Sequence, residues 1–370
     1  AAEVKLNKSG GILGKKVAIV STTSGYQQKE GSDAFDKLVN EMGARVVLDI
    51  GEIEATSGAI DAATQAHVPL ITLATGDIRS CRVVKQKPQK PVIDEEGNLK
   101  PVEPPRKIEL LQDVWHLGLT WEMSSEPLLI FLAEKFSKPD RPFSFSFVGG
   151  DTERFREESG FVRSISDSLG FKTIDEQFYD LRVEDFFSAL RDVLGQNPDV
   201  LWINYSPEYA TNFIIQAAKL QIARDIHIAG FGIFADESLV PLGNSANTAF
   251  TVTSYLSTID TAENKEFLSL IKSIPAAPEI PFASAANSYA AVLLAGAAYN
   301  KLGNDTPDRF SEGMENLDIR APQGIIESNP KNHTFTQPGF AAQVEGNKLK
   351  FSDALGSLSH PGLEGCSRIK

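Results

Sequence analysis

Short apolar runs alternate with helical periodicity over the first part of the chain. Residues 17–21, 46–50 and 68–73 are apolar runs with the length of a buried strand. After the first run, apolar side chains recur at helical spacing, at Phe35, Leu38, Val39 and Met42. Strands that alternate with helices in this way predict a parallel sheet in an α/β fold.

The alternation begins again in the middle of the chain. The predicted strands there are 143–148, 199–205 and 226–231, and the predicted helices are 152–169 and 210–220. Residues 283–302 are apolar on nearly all sides, which is typical of a helix buried against a sheet. Residues 325–351 look like short antiparallel strands. The second series therefore repeats the architecture of the first.

Residues 82–106 interrupt the pattern with Lys, Pro and Glu. The run Asp-Glu-Glu-Gly-Asn at 94–98 is a turn signal between two short extended arms. We predict an exposed hairpin insertion here, with a disordered loop as the alternative.

The length and charge of the chain narrow the function classes. A chain of 370 residues exceeds the size at which one core keeps growing, so two domains are expected. The 36 basic and 49 acidic residues give a net charge of −13 with no basic cluster, which argues against nucleic acid as a partner. No apolar run approaches the roughly 20 residues of a membrane-spanning helix.

The sequence carries no convincing motif for catalysis or metal binding. The five His residues show neither i, i+4 pairing nor clustering with Cys. Residues 230–235 fit G-x-G-x-x-A after a predicted strand, but no clear βαβ unit with a ribose-binding acid follows. A G-x-S-x-G elbow and a Cys/His pair are also missing. We therefore predict no catalytic residue, no metal and no cofactor.

Several short motifs resemble those of one protein family in their order along the chain. They are Ser-Gly-Gly-Ile-Leu-Gly-Lys-Lys at 9–16, the helix at 209–220, Tyr-Ala-Ala-Val at 289–292, Ala-Pro-Gln-Gly at 321–324 and Asn-His-Thr at 332–334. They resemble the solute-binding proteins of branched-chain amino acid and amide ABC transporters. The resemblance implies the two-lobed type I periplasmic binding protein fold, with a parallel sheet flanked by helices in each lobe. Three crossovers join the lobes, and the ligand cleft lies at the carboxyl ends of both sheets.

The resemblance also implies domain boundaries and a function. The N-terminal lobe would comprise residues 1–119 and 251–322 with the hairpin insertion, and the C-terminal lobe residues 120–250 and 323–370. The protein would be the periplasmic or otherwise extracytoplasmic component of an ABC importer that delivers an amino acid, an amide or an aromatic carboxylate to the permease. A cytoplasmic regulator of the amide-sensor kind, which binds a partner protein, is the alternative. An enzyme is the third hypothesis.

One departure from the family concerns its first strand. Family members begin with a strand and a long helix before the glycine turn, and that strand lies inside the first sheet. Only residues 1–7 precede the turn in this sequence. We expect that the sequence is incomplete or that another segment fills the gap, and we favour the first.

Strand ends and family position indicate the ligand contacts of the first lobe. Thr56 and Ser57 start a helix, where a hydroxyl and unbonded backbone N–H groups can hold a carboxylate. An ordinary helix cap is the alternative for both. Ala74 and Thr75 follow the next strand and match a contact of the family. Trp121, at the first crossover, either faces the cleft or packs at the hinge.

The strand ends of the second lobe supply the other candidates. The ammonium group of an amino acid needs a carboxylate, and Asp151 or Asp236 is the candidate, with a solvated acid or a helix cap as the alternative. Where many family members have Tyr-Gly, this chain has Asp-Thr-Glu-Arg-Phe at 151–155. An aromatic-rich cleft, which would suit an aromatic acid, is predicted unless two of its members are core residues. Those members are Trp121, Tyr205, Phe231 and Phe234.

The chain has two cysteines, Cys81 and Cys366. Two cysteines in a large protein are either inert thiols or one disulfide, and the redox compartment decides between them. A reducing compartment favours thiols. In an exported protein, which the resemblance implies, a disulfide between the two and two free thiols both remain open.

Overall fold

The computed structural model describes residues 1–51, 53–76, 78–84, 92–93, 99–100, 107–205, 207–275, 277 and 281–361. The helices are α1 (Ala2–Lys8), α2 (Gln28–Asp36), α3 (Ile53–Ala66), α4 (Trp121–Phe136), α5 (Glu153–Ser168), α6 (Phe187–Gln196), α7 (Pro207–Lys219), α8 (Asp236–Leu242), α9 (Ala262–Lys272), α10 (Ala283–Leu302) and α11 (Phe310–Met314). The strands are β1 (Val47–Asp49), β2 (Leu70–Thr72), β3 (Cys81–Val84), β4 (Val92–Ile93), β5 (Leu99–Lys100), β6 (Lys107–Leu110), β7 (Val114–His116), β8 (Ser144–Gly150), β9 (Lys172–Tyr179), β10 (Val200–Asn204), β11 (His227–Ala229), β12 (Phe250–Thr253), β13 (Asp318–Ala321), β14 (Gly324–Asn329), β15 (Thr334–Glu345) and β16 (Lys348–Leu358). Among the described helices, none combines the length and the apolar composition of a membrane span.

Most strands belong to one sheet with two parallel halves. The first half contains β1, β2 and β7. The second half contains β12, β11, β10, β8 and β9. β15 joins the halves, because Thr334 pairs with His116 of β7 while residues 340–343 pair antiparallel with β12. Parallel strands with flanking helices in each half confirm the predicted fold class.

Each half of the sheet has its own apolar core. In the first half, Ile71 and Trp115 pack in one cluster with Leu294 of α10, which confirms the prediction of a buried helix there. In the second half, Phe147 and Trp202 share a cluster with residues of α4 and α5. Burying side chains of this size stabilises the fold by roughly 1.5–3 kcal/mol each, so both cores contribute strongly.

The segment after residue 323, predicted to belong to the C-terminal lobe, begins with residues that pack against the first half of the sheet. Ile326 and Phe335 lie in the core of the first half, beside Trp115. The reason is that β14 pairs with the start of β15, which is also the part of β15 that reaches β7. The lobe boundaries stay predictions.

The run at 17–21 forms no strand, contrary to the prediction. Ile19 is 50 % exposed, and no described strand pairs with this run. Side chains of α1 bond to it instead: Val17 N–H donates to Asn7 Oδ1 at 2.7 Å, and Ile19 N–H donates to Glu3 Oε2 at 3.0 Å. An apolar run becomes a strand only where a neighbouring strand completes the ladder, and the described chain supplies none here.

The predicted insertion at 82–106 is described in part. β3 pairs antiparallel with β6, and β4 pairs antiparallel with β5, as the arms of a hairpin would. The turn signal at 94–98 lies outside the described residues, so the hairpin tip stays a prediction.

Asp199 is a buried carboxylate next to the start of β10. Arg141 donates hydrogen bonds of 2.6 Å to both of its oxygens, and Ser144 donates from its backbone N–H and its hydroxyl. Burial alone would raise the pKa of Asp199, but these hydrogen bonds outweigh burial and hold the pKa below its usual value. The ion pair therefore ties the loop before β8 to β10.

We expect Arg141→Ala to lower the free energy of unfolding at pH 7 by about 2 kcal/mol. Loss of a partner costs ~3–5 kcal/mol for a fully buried pair. The cost is smaller here because Arg141 is 33 % exposed and Lys138 remains 3.6 Å from Asp199. Urea unfolding measures the change. The control is Arg156→Ala, which removes an exposed ion pair and should have a much smaller effect. Equal effects of the two variants would contradict the expectation.

Candidate ligand-binding site

The carboxyl ends of parallel strands from both halves of the sheet come close to each other. β2 leads through Thr75 to Gly76, and β8 leads into α5. The guanidinium of Arg154, in the first turn of α5, lies against Gly76: a Cβ built on this glycine would be 2.2 Å from Arg154 Nη2. A charged side chain of the second half thus reaches the first half at the strand ends, where open α/β sheets bind ligands.

His116 fixes the backbone at the end of β2. Its Nδ1 accepts a hydrogen bond of 2.7 Å from Arg79 N–H, so its proton is on Nε2, which lies 2.9 Å from the Ala74 carbonyl oxygen. Burial, assisted by the charge of Arg79, lowers the pKa of His116 to about 3. The neutral imidazole therefore holds Ala74 in place beside Thr75, which is exposed. Ligand contacts by these two residues stay predictions.

We expect the free energy of unfolding to fall by about 2 kcal/mol between pH 7 and pH 5 because of His116. In the unfolded chain its pKa is about 6.5, so it binds a proton below that pH, whereas the folded imidazole stays neutral down to about pH 3. The stability that it contributes is therefore complete above pH 6.5 and is lost as the pH falls. Urea unfolding across this range measures the slope of the unfolding free energy against pH. His116→Gln should reduce this slope by the equivalent of nearly one bound proton. An unchanged slope would exclude His116 as its source.

Thr56 serves a carboxylate of the chain itself. It is fully buried, and its hydroxyl donates to Asp49 Oδ2 at 2.8 Å. Thr72 donates to the same oxygen at 3.0 Å, and Gly51 N–H donates to Oδ1 at 3.2 Å. The Thr56 hydroxyl is thus engaged by Asp49, and its contact with a ligand carboxylate stays a prediction. Ser57, which is half-buried, stays a predicted contact.

The four aromatic residues predicted for the cleft are all buried. Trp121 packs edge-on against Phe161, with ring centroids 5.0 Å apart. Phe231 shares the core cluster of Trp121, and Tyr205 and Phe234 lie in the cluster around α6 and α7. These rings fill the space between the sheet and its helices, in keeping with the alternative that members of the set are core residues. An aromatic-lined cleft stays a prediction.

The two predicted acids differ in what the structure shows of them. Asp151 is exposed and accepts a hydrogen bond of 2.8 Å from Arg156 Nε, which lowers the pKa of Asp151. Asp236 is the first residue of α8, and its side chain lies outside the described part of the chain. Ammonium binding by either residue stays a prediction. Among the described residues, no group of three or more His, Cys, Asp and Glu is placed to hold a metal ion.

Sequence reasoning did not single out Arg154. The signal that was present is the run at 151–155, which departs from the family pattern and places a cation directly after a strand end. In the structure the guanidinium carbon lies 5.4 Å from the ring centroid of Phe155, so the side chain is supported by an aromatic face while it reaches Gly76. Arg154 is thus the cation that the structure adds to the candidate site.

Cys81 is buried and disulfide-bonded. Cys366 lies outside the described residues, so the pairing of these two cysteines stays a prediction. Disulfides persist in oxidising compartments and are rare in the cytosol.

The sequence matches one known protein family over most of its length. The profile of the family described as periplasmic binding protein matches residues 112–348, more than half of the chain. The chain belongs to this family. It is of the family's type I. No curated protein matches this periplasmic binding protein significantly.

Solved structures of ABC transporter solute-binding proteins share the fold of this periplasmic binding protein. One from R. palustris, in complex with benzoate, is 17 % identical, with a TM-score of 0.73 over 99 % of this chain and 92 % of that chain. One from Rhodopseudomonas palustris BisB5, in complex with 3,4-dihydroxybenzoic acid, is 20 % identical, with a TM-score of 0.72 over 97 % and 93 %. A branched-chain amino acid binding protein from Streptococcus pneumoniae, in complex with isoleucine, is 18 % identical, with a TM-score of 0.73 over 95 % and 91 %.

Proposed function

We propose that this periplasmic binding protein is the extracytoplasmic component of an ABC importer. It captures a small carboxylate-bearing solute between its two halves and delivers it to a membrane permease. The observation that carries the proposal is the meeting of strand ends at the cleft, where Arg154 of the second half lies against Gly76 of the first. The family match and the solved relatives support this class of function.

The chemistry at the strand ends favours an anionic ligand. A guanidinium forms charge-assisted hydrogen bonds with a carboxylate, and these are roughly twice as strong as neutral ones. Thr75 adds an exposed hydroxyl on the opposite side of the cleft. The solved relatives were crystallised with benzoate, 3,4-dihydroxybenzoic acid and isoleucine, which have a carboxylate in common. We therefore favour amino acids and aromatic carboxylates over amides as the ligand.

The proposed mechanism is a shift between open and closed arrangements. A carboxylate that contacts both Arg154 and Thr75 gains its full binding energy only when the two halves lie close together. Its higher affinity for that arrangement stabilises the closed form, and no covalent step is required. The segments between the halves, including residues 117–120, then act as the hinge.

A cytoplasmic regulator of the amide-sensor kind is the second candidate function. The disulfide at Cys81 favours the importer component over it, because cytosolic reductants keep most thiols reduced. The two functions also differ in ligand, since the importer component proposed here recognises a carboxylate.

A thermal-shift experiment tests the proposed function. The protein is unfolded and refolded to remove any co-purified ligand, then heated with benzoate, 4-hydroxybenzoate, leucine, isoleucine, benzamide or leucinamide. A ligand at 100 times its Kd stabilises the protein by about 2.7 kcal/mol, so at least one carboxylate should raise the Tm by several degrees. Its amide counterpart should not. A shift with amides alone would favour the regulator, and a flat panel would contradict carboxylate capture.

A further inference from the structure

Asn204 is the last residue of β10, at the carboxyl end of a central strand in the second half of the sheet. Its Cα is paired with that of Gly149 in the neighbouring strand β8. The residue is only 4 % exposed, and its Nδ2 atom is buried. No described residue accepts a hydrogen bond from Nδ2. A buried donor in this state costs about 1–3 kcal/mol, so an acceptor that arrives with a bound molecule removes that cost.

The Asn204 side chain lies on the face of β10 that α4 and α5 cover. Successive side chains of a strand point to opposite faces of the sheet. Trp202 packs in the apolar cluster with residues of α4 and α5, whereas Ile203 packs in the cluster around α6 and α7. Asn204 comes two positions after Trp202, so its amide is on the same face of the sheet as α5.

Asn204 and Arg154 belong to neighbouring strand ends on that face. β8 ends at Gly150, and α5 begins at Glu153 with Arg154 in its first turn. Adjacent strands of a sheet lie about 4.8 Å apart, so the end of β10 is close to the start of α5. The Arg154 guanidinium extends from there to Gly76, in the first half. A solute with its carboxylate on this guanidinium can therefore place its other end beside Asn204.

We propose that Asn204 binds a hydroxyl group of the captured solute, so that the protein selects hydroxylated carboxylic acids. A hydroxyl group fits a side-chain amide, because it accepts a hydrogen bond from Nδ2 and donates one to Oδ1. A solute with only hydrogen or methyl in this position leaves Nδ2 buried without an acceptor. A site built to hydrogen-bond a hydroxyl group discriminates strongly against solutes that lack it. This inference rests on the proposed function, because it names the class of solute that the same site takes.

Calorimetric titration of the refolded protein with matched pairs of solutes tests the proposal. The pairs are benzoate with 4-hydroxybenzoate and valine with threonine, because each pair compares an acid with its hydroxylated counterpart. We expect the hydroxylated acid of at least one pair to bind at least tenfold more tightly. Equal affinities within both pairs, or binding of the unhydroxylated acids alone, would overturn this inference and leave carboxylate capture standing. Absence of binding by all four would contradict both.

Two variants distinguish recognition by Asn204 from a structural role. Asn204→Leu keeps the shape of the side chain but removes the amide. Because Nδ2 has no partner within the described chain, this variant should be at least as stable to urea as the unchanged protein. Its preference for the hydroxylated acid should disappear, while its affinity for the unhydroxylated acid stays within twofold.

The control is Trp202→Phe, which removes another buried donor on the same face. Trp202 is fully buried, and its Nε1 also has no partner within the described chain. Since Trp202 lies two positions before the strand end, the preference for the hydroxylated acid should be unchanged in this variant. A preference that survives in Asn204→Leu, or that Trp202→Phe reduces equally, would overturn the proposal.

Discussion

Gly58→Ala should lower the free energy of unfolding by about 3 kcal/mol, the upper end of the cost of overpacking. α2 and α3 cross with their backbones in contact: a Cβ on Gly58 would be 1.7 Å from the carbonyl oxygen of Gln28. The same crossing places Gly31 against Ala55, with a Cβ 1.9 Å from its carbonyl oxygen. Neither contact involves the flexible end of a side chain, so the helices themselves must move apart. Urea unfolding measures the loss.

The matched control for this variant is Gly160→Ala in α5. A Cβ at Gly160 meets nothing within 4 Å. The substitution should therefore stabilise the protein by roughly 0.5–1 kcal/mol, the gain in helix propensity from glycine to alanine. If Gly58→Ala also leaves the stability within 0.5 kcal/mol of the unchanged protein, the close crossing of α2 and α3 is wrong.

Gly118→Ala should cost about 3 kcal/mol and also weaken ligand binding. A Cβ on Gly118 would be 2.0 Å from the Ala74 carbonyl oxygen, so the first crossover and the end of β2 must separate. That movement displaces Thr75, the exposed hydroxyl of the candidate site. Urea unfolding measures the first effect, and calorimetric titration of the ligand found by thermal shift measures the second, expected to be at least tenfold.

The control for Gly118→Ala is Gly195→Ala in α6, where a Cβ also meets open space. It should raise the free energy of unfolding by at most about 1 kcal/mol. The affinity for the ligand should not change. A Gly118→Ala variant that is destabilised but binds with full affinity would exclude the end of β2 from the ligand site.

Many of the helices and strands could be predicted from the sequence, because each depends mainly on the pattern of apolar and polar residues in its own segment. The apolar faces of the segments that form β8, β10, α5 and α10 predicted buried strands and helices, and the structure has them within a few residues. The run at 17–21 has an equally good apolar pattern but forms no strand. Pairing depends on a neighbour, and a neighbour is a property of the whole sheet.

The candidate site was less predictable because it depends on side-chain direction. Trp121 is the first residue of α4, and Tyr205 and Phe231 follow strands as predicted, yet the rings of all three turn into the cores. Thr56 lies at the start of a helix, as predicted, yet its hydroxyl bonds to Asp49, a partner seven positions earlier. Arg154 reaches Gly76 across the cleft, and no local pattern in the sequence contains that contact.

The central claim is that a carboxylate solute binds between the two halves with Arg154 as one contact. Isothermal titration calorimetry of the refolded protein and of Arg154→Gln with the ligand found by thermal shift tests it most directly. The account predicts one site per chain and at least a tenfold loss of affinity in the variant, equivalent to about 1.4 kcal/mol. Urea unfolding of the variant verifies that it is folded. Equal affinity of a folded Arg154→Gln variant would contradict the account.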